Sequence, residues 1–95
     1  MYLHLGQSVV IPTKTVIGIF DLDNTSQSPI TRAYLSQAEK EKRVVNVSED
    51  LPKSFVVAKD HREKLWVYIS QLSSQTLNKR AESGFFEANQ LRIMP

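Results

Sequence analysis

The chain has 95 residues, a one-domain length whose core would cover roughly 60–70% of the surface exposed on unfolding. Hydrophobic residues make up 41% and charged residues 23%, which argues for a folded domain over a disordered one. The absence of cysteine excludes a disulfide scaffold, a thiolate zinc site and a cysteine nucleophile, and a net charge of +2 carries no argument for nucleic acid by itself.

Tyr2 to Leu5 reads as a short strand, and Gly6-Gln7 as a tight turn, because glycine tolerates positive φ. Ser8 to Ile11 is apolar and β-branched and gives a second strand, ended by Pro12, which has no amide to donate. Val16-Ile17-Gly18-Ile19-Phe20 is the strongest apolar run and is expected to be a central, buried strand, with Gly18 marking a bulge or a close backbone approach. Asp21 to Ser28 is polar and reads as a loop. Ser28-Pro29 then starts a helix, Ser28 as N-cap and Pro29 in the first helical position. Ile30, Ala33, Tyr34 and Ala38 form one apolar stripe, and the helix is expected to run to about Lys42.

Val44 to Val47, Phe55 to Ala58 and Leu65 to Ile69 read as three further strands. The polar stretch Lys59 to Lys64 joins the last two as a hairpin with a long loop. Ser73 or Ser74 caps a second short helix reaching about Arg80, with Gly84 as its stop. The expected fold class is therefore α+β, a small mostly antiparallel sheet with two helices in the order β-β-β-α-β-β-β-α. One domain is expected over residues 1–84. Residues 85–95 form an apolar tail that packs on its own or a neighbouring subunit, with Phe85 and Phe86 at the contact. A homo-oligomer follows from the small core, that tail and the short first strand, which needs an edge partner.

Candidates for chemistry are few. His4 and His61 have no second metal-ligand type at a recognised spacing. Asp21-Leu22-Asp23-Asn24-Thr25 after an apolar strand has the opening of an aspartate-nucleophile phosphatase, but the later motifs of that parallel α/β fold are missing. There is no Gly-x-Ser-x-Gly elbow and no glycine-rich phosphate loop. No enzyme activity, cofactor, metal or small-molecule substrate is expected. No apolar run approaches the ~18–20 residues that span a bilayer. The amino terminus does not read as a secretory signal, so a cytoplasmic protein without membrane contact is expected.

Several segments together carry a resemblance: Met1-Tyr2-Leu3-His4-Leu5-Gly6, Val16-Ile17-Gly18-Ile19-Phe20-Asp21, Ser28-Pro29-Ile30-Thr31-Arg32 and Leu51-Pro52-Lys53-Ser54-Phe55-Val56-Val57. In these the chain resembles the extracellular matrix regulators of the RemA/RemB family of Gram-positive bacteria, over about residues 1–80. The resemblance implies a cytoplasmic, ring-forming regulator that binds double-stranded DNA and controls biofilm matrix genes. It also implies nucleic-acid contacts at three positions. Arg32 matches a basic position at the helix start. Lys53 stands where RemA-like chains carry an adjacent arginine pair, here preceded by acidic Glu49 and Asp50. Lys14 lies one residue out of register with a basic position before the third strand. Around a ring, weak contacts at these three residues would add through effective concentration. The alternative is a protein–protein assembly module that does not touch DNA, which the balanced charge and the missing arginine pair favour.

Overall fold

A computed structural model describes residues 1–22 and 28–82. Strands β1 (Tyr2–Gly6) and β2 (Val9–Pro12) pair as an antiparallel hairpin. Gly6 and Gln7 take φ of 121° and 48° at the turn, so the residue able to adopt that backbone stands where the sequence places it. A 3-10 turn over Thr13–Thr15 leads into β3 (Val16–Asp21). Helix α1 (Pro29–Lys40), β4 (Val44–Asn46), β5 (Ser54–Lys59), β6 (Leu65–Ser70) and helix α2 (residues 74–82) follow. The expected class and element order are those observed.

β3, β4, β5 and β6 make one sheet in the order β3-β5-β6-β4. β5 is antiparallel to both neighbours, while β4 runs parallel to β6. The parallel pair follows from the path of the chain. α1 carries it from one edge strand, β3, back to the other, β4, and the β5–β6 hairpin fills the space between.

This topology corrects one expectation. The run Val16–Phe20 is an edge strand, not a central one, and leaves Ile17 57% and Phe20 37% exposed. The central place belongs to β5, which is buried from Ser54 to Ala58 because both of its faces are covered. Val56 and Ala58 face Leu3, Leu5 and Ile11 of the hairpin and Leu77 of α2. Phe55 and Val57 face the other way, with Val67, toward Ala38, Tyr34 and Leu35 of α1. The domain is thus three layers, with the sheet between α1 and the hairpin–α2 layer.

The expected bulge is present, between Val16 and Gly18. It turns Gly18 under Phe20, whose ring stacks on Phe55 with centroids 5.0 Å apart. A Cβ at Gly18 would lie 2.7 Å from that ring, so glycine is what lets the ring lie flat.

Both helix starts are capped by serine. The Ser28 hydroxyl accepts from the Thr31 amide at 3.4 Å, and the Ser73 hydroxyl from the Thr76 amide at 3.1 Å. α1 ends earlier than expected. Lys42 takes φ of 59°, and the amides of Lys42 and Arg43 donate to the carbonyls of Glu39 and Ala38, the Schellman pattern with lysine in the usual glycine place. The helix stripe is also corrected. Tyr34, Leu35 and Ala38 pack on the sheet, whereas Ile30 is 82% exposed and Ala33 is exposed. Gly84, Phe85, Phe86 and the apolar tail lie outside the described residues.

Candidate nucleic-acid interface

The ends of the sheet decide where the candidate cations stand. At one end Asp21 of β3 lies opposite Ser54 of β5, and the Leu22 amide donates to the Lys53 carbonyl at 3.0 Å. The Lys53 amide donates in turn to the Ser70 carbonyl at 2.9 Å, so the backbone at Lys53 is fixed while its side chain is exposed. The chain leaves β3 at this end, and Arg32 stands exposed in the first turn of α1. At the other end Val16 lies opposite Ala58, and Lys14 projects from the 3-10 turn just before it. Lys53 and Lys14 are therefore separated by the length of β5, about 15–20 Å at the usual rise per residue. Within one subunit Arg32 and Lys53 share an end and Lys14 does not join them.

The acidic neighbours of Lys53 lie in the loop between β4 and β5. Residues 47–53 cross from the β4 edge to β5, and Glu49 and Asp50 border Asn46 and Ile69 on the β4 side. Lys53 enters β5 between its two neighbours, bonded through its backbone to Leu22 on the β3 side and to Ser70 on the β6 side.

The opposite end is the more basic one, and it is built by the stretch Lys59 to Lys64 that the sequence marks as a hairpin connection. Lys14, Lys59, Arg62 and Lys64 gather there. The C-terminus of α1 also arrives there, since the Arg43 guanidinium donates to the Leu65 carbonyl at 2.8 Å. Arg43 also bonds Glu41 at 2.6 Å and lies 6.0 Å from the centre of the Tyr34 ring, which ties helix to sheet. Asp60 organises the hairpin. One carboxylate oxygen accepts from the amides of Arg62 and Lys64 at 2.8 and 2.9 Å, and the other from the Trp66 indole at 2.9 Å. The Trp66 bond, followed by that from the Lys64 amide, holds the Asp60 carboxyl below its ordinary value. The recoverable signal was an aspartate six residues before the chain's single tryptophan, across a turn.

That depressed value has a definite pH consequence. The stabilisation from Asp60 is fully present above the ordinary value of 3.8 and is lost as pH falls through the lower, folded value. Trp66 emission is expected to change in that acid range while far-UV circular dichroism is still native. Asp60→Asn should remove the transition. An identical acid transition in the variant would show that another carboxyl controls the indole.

Among the described residues, no group of three or more His, Cys, Asp or Glu side chains is placed to hold a metal ion, and both histidines are exposed. No helix among them is long and apolar enough to cross a membrane. The model of the RemA-like family, extracellular matrix regulatory protein A-like, matches residues 2–81. The chain belongs to the RemA-like family. It is also 41% identical over 85 residues to extracellular matrix regulatory protein B of Bacillus subtilis (strain 168), covering 90% of this chain and 95% of that protein. The RemA-like match takes in every described strand and all of α1, and α2 to within one residue of its described end. The family's members are regulatory proteins by description, which agrees coarsely with a non-enzymatic role.

Proposed function

We propose that this RemA-like chain is a cytoplasmic, oligomeric regulator of extracellular matrix genes that binds double-stranded DNA through phosphate contacts. The observation that carries the reading is that Arg32 and Lys53 are both exposed at the end of the sheet where the chain leaves β3. Clustered cations release counterions from DNA, and neighbouring carboxylates such as Glu49 and Asp50 oppose that attraction. Lys14, at the far end, would then meet DNA through another part of the path across an oligomer. Contacts of this kind read shape and charge rather than base edges.

Oligomer formation is supported by exposed apolar side chains, Ile17 at 57% and Phe20 at 37% on β3 and Ile30 at 82% on α1. Among the described residues β3 is paired on one side only, and a strand edge with apolar side chains is a natural subunit contact. The same surface favours the second reading, an assembly module that recruits a protein and leaves DNA alone.

Duplex DNA titrated at several salt concentrations separates the two. Wild type should bind at low salt, with log affinity falling linearly against log salt. Arg32→Ala should weaken binding to all sequences alike and reduce the slope by roughly one per engaged subunit. Replacing Glu49 and Asp50 with Gln and Asn should strengthen binding. Light scattering should give a mass above the 10.8 kDa of one chain. An oligomer that fails to bind DNA at low salt would leave the assembly reading in place.

A further inference from the structure

Helix α2 carries the chain toward an apolar cleft. The helix starts beyond the end of β6, where Gln71 lies so close to Gly6 that a Cβ on the glycine would meet its side chain at 2.9 Å. Further along α2, the Arg80 guanidinium donates to the His4 carbonyl at 3.3 Å. From Gly6 to His4 the helix has advanced along the β1–β2 hairpin, away from its turn. Ala81 packs against the core cluster that holds Ile11 and Ala58. Next in that direction come Leu3 and Tyr2, paired with Ile11 and Pro12.

Ile11 and Pro12 form one wall of a cleft of about 530 Å³. Trp66 and Tyr68 form the other, from the same face of β6, with Ala58 of β5 between the walls. Asp60, the one carboxylate in the lining, is engaged by two backbone amides and by the Trp66 indole. The cleft therefore offers an occupant chiefly aliphatic and aromatic surface.

The sequence beyond α2 has matching chemistry. Residues 83–95 include Phe85, Phe86, Leu91, Ile93 and Met94, an apolar content that calls for a covering surface. Phe85 and Phe86 follow Glu82 by three and four residues, a reach of roughly 10–14 Å. The step from His4 to Tyr2 along the hairpin is only about 7 Å. Phenyl rings against Trp66 and Tyr68 gain ring–ring attraction in addition to burial. Glu87, the only acidic side chain after Glu82, comes directly next, and exposed Lys14 borders the cleft with the opposite charge.

We propose that Phe85 and Phe86 occupy this cleft in their own chain, closing it between the hairpin and β6. The contact requires neither DNA nor a second subunit, so it stands apart from the proposed function.

The chain has no cysteine, so Ala88→Cys takes a single bimane label on the full-length protein. Indole quenches bimane on contact, and Trp66 is the only tryptophan. The label is expected to be quenched relative to the same label in Trp66→Phe. Phe85→Ser combined with Phe86→Ser should abolish the quenching and shift Trp66 emission to the red. The pair should also lower the melting temperature by about 4–8 °C or more. Labelled chains are then mixed with an excess of unlabelled Trp66→Phe chains and allowed to exchange. Quenching that persists comes from the same chain, as proposed, whereas quenching that fades comes from a neighbour's tail and overturns the proposal. This arm keeps both phenylalanines, so it decides the matter even where the double substitution unfolds the chain. An unquenched label also overturns the proposal, as does a folded double-serine variant with unchanged quenching and Trp66 emission.

Discussion

Phe55→Ala is expected to destabilise the domain by about 3–5 kcal/mol, the usual cost of removing a buried aromatic ring and leaving a cavity. Phe55 is 3% exposed and sits in the central strand beneath α1, with Ala38, Val57 and Val67 around it. Domains of this size have only about 5–15 kcal/mol in total, and each kcal/mol moves the melting temperature by about 4–8 °C. The variant should therefore melt far below wild type, or fail to fold at the growth temperature. Its stacking partner supplies the control. Phe20 lies on the edge strand and is 37% exposed, so Phe20→Ala should cost only about 1 kcal/mol, mainly the ring pair. Urea unfolding of both variants measures the difference. Equal costs would mean that the stacked pair, rather than burial under α1, holds this side of the domain.

Ser70→Ala is expected to cost about 2–4 kcal/mol, although it deletes a single oxygen. The hydroxyl is fully buried, donates to the Leu5 carbonyl at 2.6 Å and accepts from the Leu72 amide at 3.0 Å. Its removal leaves two backbone groups without that partner, at about 1–3 kcal/mol for each one left unsatisfied. Ser54, directly opposite in the β5–β6 ladder, donates to the Leu72 carbonyl at 2.7 Å, so the two serines together fasten the turn after β6. Ser70 also ties the end of β6 to β1 by its hydrogen bond to Leu5. Hydrogen exchange should therefore show β1 amides losing protection in Ser70→Ala before those of β5. Unchanged stability would show that the Leu5 carbonyl and Leu72 amide find other partners.

Local signals were legible without coordinates. Ser28-Pro29 marks the start of α1, Ser73-Ser74 the start of α2, where the structure selects Ser73 as the cap, and Gly6 a turn, since each works through bonds or dihedrals within a few residues. The long loop before Leu65 was read as a hairpin connection, and its acid–tryptophan bond went unseen because it depends on the fold of that loop. The stripe on α1 was misassigned for a related reason. Ile30, Ala33, Tyr34 and Ala38 satisfy helical spacing, but Leu35 lies beside them on the helix. Only the position of Phe55, Val57 and Val67 selects Tyr34, Leu35 and Ala38 as the buried face.

The candidate interface divides in the same way. Arg32, Lys53 and Lys14 were identifiable from the resemblance, and their identities and charges are properties of the chain. Their grouping is a property of the sheet. The pairing of Asp21 with Ser54 and of Val16 with Ala58 puts Lys53 beside the exit of β3 and Lys14 a strand length away.

By itself, then, the sequence determined the class of fold, the order of its elements, their caps and turns, and the family to which the chain belongs. These depend on hydrophobic period and on short-range hydrogen bonding, which are written along the chain. Tertiary structure decided that β5 and not β3 is central, that Arg32 and Lys53 share one end of the sheet while Lys14 stands at the other, and that Asp60 holds the Trp66 indole. An apolar run states that a strand can be buried. Which strands lie on either side of it is settled by pairing between segments distant in sequence, where the hydrogen bonds of the whole sheet and the burial of both its faces are satisfied together.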